Sequence, residues 1–356
     1  MIEQLLELEN ISLIPADLPN IGNPEKISFS VINHEDGSAS LPIFTAPMAS
    51  VVSGSNYQAF YNKGIRPILS RVEDLNYRLE GCQYIFAAFT LREIQENFLI
   101  TKRISNKQFK ICIETGNGHD SEIFNVALGL RKTYGNQVCI MAGNIGNPKI
   151  YVDYCKAGID YARVGFGCSS LVNKETFGFY YPMASLLIDI LGVRNTSCAG
   201  LKQTKIIADG GIMGPVDIVK CIALGADYVM LGRAFAKLAE ASGPVASKQQ
   251  DGTKTELNQS AVAGMSKIEL SEKKIVRLYS AQATYDPQGS PNSYDIAHNI
   301  RRFSEVKDEW VSVTSNLQSW SLELFEVFQN AFLYGRAATW NDFKANIKYV
   351  RISQPY

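Results

Sequence analysis

The chain has 356 residues, 46% hydrophobic and 20% charged, with 35 basic and 35 acidic side chains that cancel to zero net charge. Such a chain buries a sizeable core within one large domain, and its balanced, interspersed charge argues against a nucleic-acid footprint or an anionic-membrane surface and for a small-molecule partner. No apolar run reaches membrane-spanning length and Met1-Ile2-Glu3-Gln4 is acidic where a secretion signal is basic, so a cytoplasmic location is expected. The cysteines Cys82, Cys112, Cys139, Cys155, Cys168, Cys198 and Cys221 form no CxxC pair, and they read as buried thiols in a reducing compartment, with neither disulfides nor a metal site.

In chain order, short apolar runs occupy residues 42–46, 66–69, 84–88, 110–113, 138–142, 161–164, 205–208 and 228–231. Runs of this length without polar alternation are what parallel strands buried on both faces look like. Amphipathic stretches lie between them at 55–62, 93–99, 121–134, 148–157 and 215–223, the last with Pro215 at a first turn and Gly225 as a C-cap. Eight strands alternating with helices predict an α/β fold, a (β/α)8 TIM barrel, in preference to an open sheet. Two connections are too long for the repeat, 165–181 and 245–299. The second is expected to be a flap, with 249–259 mobile. Residues 321–338 are helical in pattern, with Leu322, Leu324, Phe325, Phe328, Phe332 and Leu333 on an apolar side that packs on the barrel. The whole chain, 1–356, is expected to be one barrel domain.

The most informative stretch ends the seventh and eighth strands. Asp209-Gly210-Gly211 breaks one apolar run, and Gly232-Arg233 follows the next. Glycine lets backbone come close to a ligand, the arginine fork suits phosphate, and the loops after the last two strands of such a barrel commonly bind phosphate. The competing role for Asp209 is an N-cap, which Pro215 argues against by starting the next helix several residues later.

With the strands laid out, their ends resemble the IMP dehydrogenase and GMP reductase family. The resemblance runs from about residue 11 to 352. It is carried by Ala46-Pro47-Met48-Ala49-Ser50-Val51, Glu114-Thr115-Gly116-Asn117-Gly118-His119, Met141-Ala142-Gly143-Asn144, Arg163-Val164-Gly165-Phe166-Gly167, the Asp209-Gly210-Gly211 turn and Met230-Leu231-Gly232, in that order. The pair of small regulatory domains inserted in many IMP dehydrogenases is absent from the sequence, so in size the chain looks more like a GMP reductase. Arg302-Phe303-Ser304-Glu305 is similar to the segment that GMP reductases place against the purine base.

The resemblance implies a purine nucleoside monophosphate site. Asp209 would hold the ribose hydroxyls; Ser170, Gly211, Gly232, Arg233 and Tyr279 would surround the 5′-phosphate. Met48 and Ser50 would touch base or ribose, and Arg302, Ser304 and Glu305 would read the Watson–Crick edge. Arg71, Glu114, Asn117 and Gly118 would bind NADPH, while Phe89 is expected to intrude on the cofactor space. A homotetramer is implied as well. The catalytic loop departs from the family. Where the family carries Gly-x-Gly-Pro-Gly-Ser-x-Cys-Thr-Thr, this chain has Gly165-Phe166-Gly167-Cys168-Ser169-Ser170-Leu171-Val172-Asn173-Lys174, so Val172 stands at the nucleophile's position and Cys168 four residues early. Cys168, Lys174, Glu175 and Glu305 are the remaining candidates for nucleophile, acid or base. Two functions stay open, a GMP reductase-like enzyme and a purine-nucleotide binder without catalysis.

Overall fold

In the computed structural model, residues 5–17, 27–33, 35–104, 107–115, 117–168, 178–280 and 309–352 are described. Eight parallel strands, β1 (Ile43–Thr45), β2 (Ile68–Leu69), β3 (Phe86–Phe89), β4 (Phe109–Glu114), β5 (Val138–Ile145), β6 (Tyr161–Val164), β7 (Lys205–Asp209) and β8 (Tyr228–Leu231), pair in sequence order. β8 returns to β1 through Val229–Ile43 to Leu231–Thr45. The last seam is closed by a parallel bridge between Phe44 and Arg66, with Arg66 N donating to Ile43 O at 2.9 Å and Thr45 N to Arg66 O at 3.0 Å. The sheet is therefore a closed (β/α)8 TIM barrel, and all eight expected strands are present.

Side chains alternate between two cores, as the period of two requires. Phe44, Ile68, Phe86, Ala88, Cys112, Met141, Tyr161, Ile207 and Met230 fill the barrel interior. Their neighbours Ile43, Leu69, Ala87, Phe89, Ile111, Ile140, Ala162, Ile206 and Val229 face the helices. Phe89 accordingly lies outside the barrel, stacked edge-on against Phe98 at 5.2 Å with the Arg78 guanidinium 5.1 Å from its ring. The expectation that Phe89 intrudes on the cofactor space is corrected by this alternation.

Helices Ser121–Tyr134 and Pro215–Ala223 have the expected bounds, and Pro148–Lys156 ends one residue earlier than expected. Helices Leu75–Gly81 and Met183–Thr196 were not anticipated; the second is apolar around much of its circumference and gives little periodic signal. The C-terminal helix Leu317–Gly335 packs through Trp320, Leu324, Phe328 and Phe332, a stripe at spacing four. Leu322 and Leu333, placed on the packing side by the sequence reading, are 57% and 44% exposed, because they are offset from that stripe.

The segment after β8 is a small sheet. β9 (Val245–Lys248) pairs antiparallel with β10 (Lys254–Leu257) and β11 (Ile275–Tyr279), and β11 pairs with β12 (Glu309–Ser312). β10 and the start of helix Gln259–Ala263 fall within the stretch expected to be mobile. Arg277, fully buried on β11, fastens this sheet to the barrel by donating to the carbonyls of Ala236 at 2.9 Å and Ala239 at 3.2 Å, to that of Leu238, and to Gln259 Oε1 at 3.1 Å. Among the described residues, no helix is long and apolar enough to cross a membrane.

Candidate functional site

Continuing the alternation one step past the apolar interior puts charged side chains into the barrel mouth. Glu114 follows Cys112 inward on β4, Arg163 follows Tyr161 on β6, and Asp209 follows Ile207 on β7. Arg163 Nε donates to Asp209 Oδ2 at 2.9 Å, and its Nη1 lies 3.8 Å from Glu114 Oε1. Asn144 Nδ2 donates to the same Asp209 Oδ2 at 2.8 Å. The carboxylate is thereby held by two donors on one oxygen, while Oδ1 accepts from no described residue. Gly143 makes room for this arrangement, since a Cβ there would come within 2.5 Å of the Arg163 Cβ. The helix after β7 begins at Pro215 with Gly214 as its N-cap residue, so Asp209 does not cap it.

Electrostatics in this layer follow from burial. Desolvation raises the Glu114 carboxyl above its ordinary value of 4.5, with Arg163 and Arg71 pulling the other way. Burial likewise pushes the Cys112 thiol, beneath Arg163, up to about 12. Arg71 acts on Glu114 through its charge. Thr115 Oγ1, next along the chain, is buried without a hydrogen-bond partner. Asn117 Oδ1 accepts from His119 N at 3.0 Å, closing its loop. Gly118 packs where a Cβ would meet the Asn144 carbonyl oxygen at 2.2 Å. His119 Nε2 accepts from Gly146 N at 3.0 Å, and burial lowers its pKa, which keeps this ring neutral and the loops after β4 and β5 joined.

A second group surrounds the turn after β8. A Cβ on Gly232 would lie 2.7 Å from the Tyr279 hydroxyl and 3.2 Å from Met48 Sδ, so glycine alone admits both. Burial, then the charges of Asp209 and Glu309, raise the Tyr279 pKa and keep its phenol protonated. Arg233 forms a bidentate ion pair with Glu309, Nη1 to Oε2 at 2.5 Å and Nη2 to Oε1 at 2.6 Å, and its Nε is buried without a partner. Ser50 is buried on the loop after β1, and its Oγ also has no partner. Gly211, at φ +73°, sits against the Cys168 carbonyl. The Cys168 thiol is turned to the Tyr181 carbonyl, which accepts from Sγ at 3.2 Å.

The structure therefore gathers Asp209 with Glu114, and Met48, Gly232, Arg233 and Tyr279 with one another. Ser170, Val172, Lys174, Glu175, Arg302, Ser304 and Glu305 lie outside the described residues. Sequence reading missed Arg163 and Asn144 as members of the site. A charged residue in the inward register of the apolar strand 161–164 was the available signal for Arg163. Nothing in the spacing pointed to Glu309.

Comparison with known proteins decides the family. A model of the IMP dehydrogenase / GMP reductase domain matches residues 86–355. The chain belongs to this family. The match starts at β3, so the first two barrel strands lie ahead of it. The chain is 27% identical over 261 residues to GMP reductase of Clostridium acetobutylicum, covering 69% of this chain and 75% of that protein. It is 29% identical over 181 residues to inosine-5′-monophosphate dehydrogenase of Chlorobaculum parvum, covering 50% of this chain and 35% of that protein. To GMP reductase 2 of Homo sapiens it is 32% identical over 148 residues, covering 41% of this chain and 40% of that protein. The chain thus spans three quarters of one family relative and well under half of the other two.

Proposed function

We propose that the barrel mouth binds a purine nucleoside 5′-monophosphate, and that the chain carries out a GMP reductase-like, NADPH-dependent reduction or a diverged reaction at the same base. The observation that carries this reading is Asp209, whose Oδ2 is fixed by Arg163 and Asn144 while Oδ1 keeps its acceptor capacity. A carboxylate oriented in this way suits the paired hydroxyls of a ribose. The Gly211 and Gly232 turns, Arg233 and the protonated phenol of Tyr279 supply phosphate donors, and Ser170 joins them by resemblance. Met48 and Ser50 meet the base or ribose, and the unpartnered Ser50 hydroxyl is satisfied by the ligand. Arg302, Ser304 and Glu305 read the base edge. A nicotinamide cofactor fits beside Glu114, where the orphaned Thr115 hydroxyl offers a partner to an amide; Arg71, Asn117 and Gly118 complete that side. When bound, NADPH would supply hydride to the purine ring. Glu114, whose carboxyl burial raises above its ordinary value against the pull of Arg163 and Arg71, is an acid–base candidate on the cofactor side, and Cys168, Lys174 or Glu305 serves as a further nucleophile, acid or base. The homotetramer and cytoplasmic location belong to the same proposal.

A second reading, a purine-nucleotide binder without catalysis, is favoured by Val172 at the family's cysteine position and by the donation of the Cys168 thiol to Tyr181. One experiment separates the two. GMP and IMP are incubated with and without NADPH, cofactor absorbance is followed, and the products are identified by mass spectrometry. Turnover supports the enzyme; saturable binding without turnover supports the binder.

A further inference from the structure

The cation that the mouth offers to a phosphate is already engaged by an acid of the same chain. Both oxygens of Glu309 accept from the two terminal nitrogens of Arg233, at 2.5 and 2.6 Å. The register of β11 and β12 accounts for this contact. Tyr279 and Glu309 are paired residues of antiparallel strands, so their side chains emerge side by side on one face of the small sheet. The phenol comes down over Gly232 and the carboxylate reaches the neighbouring Arg233. A carboxylate and a phosphate present equivalent pairs of acceptor oxygens to a guanidinium fork. The ion pair is also accessible to a competitor, since its side chains are 25% and 40% exposed. Partial exposure lets solvent screen the pair and lets a competing anion reach it, although its bidentate geometry makes it stronger than an ordinary surface pair. Arg233 Nε, buried and unpartnered, is a donor that the carboxylate leaves unused.

We propose that Glu309 is an internal competitor for phosphate at Arg233, and so determines how strongly the site prefers phosphorylated over unphosphorylated ligands. The inference rests on the reading of the mouth as a nucleoside monophosphate site and adds the residue that tunes it. If Glu309 stayed in place beside a bound phosphate, two anions would share one guanidinium. If it exchanges, the Arg233–Glu309 pair must break first. Either way the acid weakens phosphate binding, and its removal strengthens it. In that reading the ribose is held at Asp209, on Arg163 and Asn144, while Glu309 is engaged at Arg233, so an unphosphorylated nucleoside is expected to be indifferent to the change.

The test is calorimetric titration of the full chain with inorganic phosphate, guanosine and GMP, for the wild type, Glu309→Gln, Glu309→Ala, Arg233→Met and the double variant Arg233→Met/Glu309→Gln. Both Glu309 variants are expected to bind phosphate and GMP roughly tenfold more tightly, with guanosine unchanged. The gain is expected to vanish on the Arg233→Met background. Unchanged or weaker GMP and phosphate binding in both folded Glu309 variants overturns the proposal, as does equal tightening of guanosine. If phosphate tightens but no variant binds GMP or guanosine, the role of Glu309 stands and the purine reading of the site falls. If GMP binds all variants equally, the purine reading stands and the competition by Glu309 falls.

Discussion

The two ends of the barrel spend their polar groups differently. At the N-terminal end, Arg66 lies among four rings, 4.3 Å from the centroid of Phe44, 5.5 Å from Phe86, 5.4 Å from Tyr161 and 5.3 Å from Tyr228. It pairs with Glu35 and donates to the Tyr161 hydroxyl at 3.0 Å, which itself donates to Glu35 Oε2 at 2.8 Å. Neither Arg66, Glu35 nor Tyr161 has a buried atom left without a partner. At the C-terminal mouth, Ser50 Oγ, Thr115 Oγ1 and Arg233 Nε are buried and unpartnered. Native interiors satisfy nearly all such groups. Arg277 Nε in the small sheet is unpartnered too, so the contrast holds between the two barrel ends: the satisfied end holds the fold, and the mouth keeps polar capacity for the proposed ligand.

The sharpest break of this contrast would come at the bottom. Arg66→Met leaves Glu35 buried without its cation and should lower stability by about 3–5 kcal/mol in denaturant unfolding. Nucleotide affinity of the folded protein should be unchanged. Loss of binding without loss of stability would abolish the division between the ends. Asp209→Asn should weaken GMP by about 100-fold if two charge-assisted hydrogen bonds each lose roughly 1.4 kcal/mol; because it also weakens the buried pair with Arg163, affinity is read on the folded protein. Titration calorimetry measures it.

Ser50→Ala sharpens the contrast with a smaller effect. Its hydroxyl has no protein partner to lose, so the melting temperature should hold or rise slightly while GMP binding weakens about fivefold. A destabilised Ser50→Ala protein with intact affinity would make the orphan hydroxyl a structural group. The smallest effect is expected for Glu114. Its folded-state pKa is raised above the ordinary 4.5, so the folded chain holds this proton more tightly than the unfolded one. Its contribution to stability therefore declines as pH rises from about 4.5 through the raised value. Glu114→Gln removes that decline, and the melting temperature of the variant relative to wild type should climb over the same interval. A difference independent of pH would contradict the burial argument.

The barrel was legible because its strands are continuous apolar runs of the right length separated by helical spacing, and runs such as 161–164 and 228–231 were recovered with their bounds. Helix Met183–Thr196 was not, since a helix that is apolar on most sides carries little periodicity. The Asp209-Gly210-Gly211 and Gly232-Arg233 turns announced the mouth through residue types that only close backbone approach requires. What they could not announce was the partner each charge takes. Asp209 meets Arg163 through the closure of β6 against β7, and Arg233 meets Glu309 through the register of β11 against β12. Both are long-range pairings that no local pattern encodes. The flap sheet was missed as well, because β10, Lys254–Leu257, is largely exposed and its sequence reads as loop.

The central claim is that the mouth holds a purine nucleoside monophosphate on Asp209. Calorimetric titration of wild type and Asp209→Asn with GMP and IMP tests it most directly. The wild type should bind at least one nucleotide saturably, and the variant about 100-fold more weakly. Absence of binding at millimolar nucleotide, or equal binding by a folded Asp209→Asn protein, would contradict it.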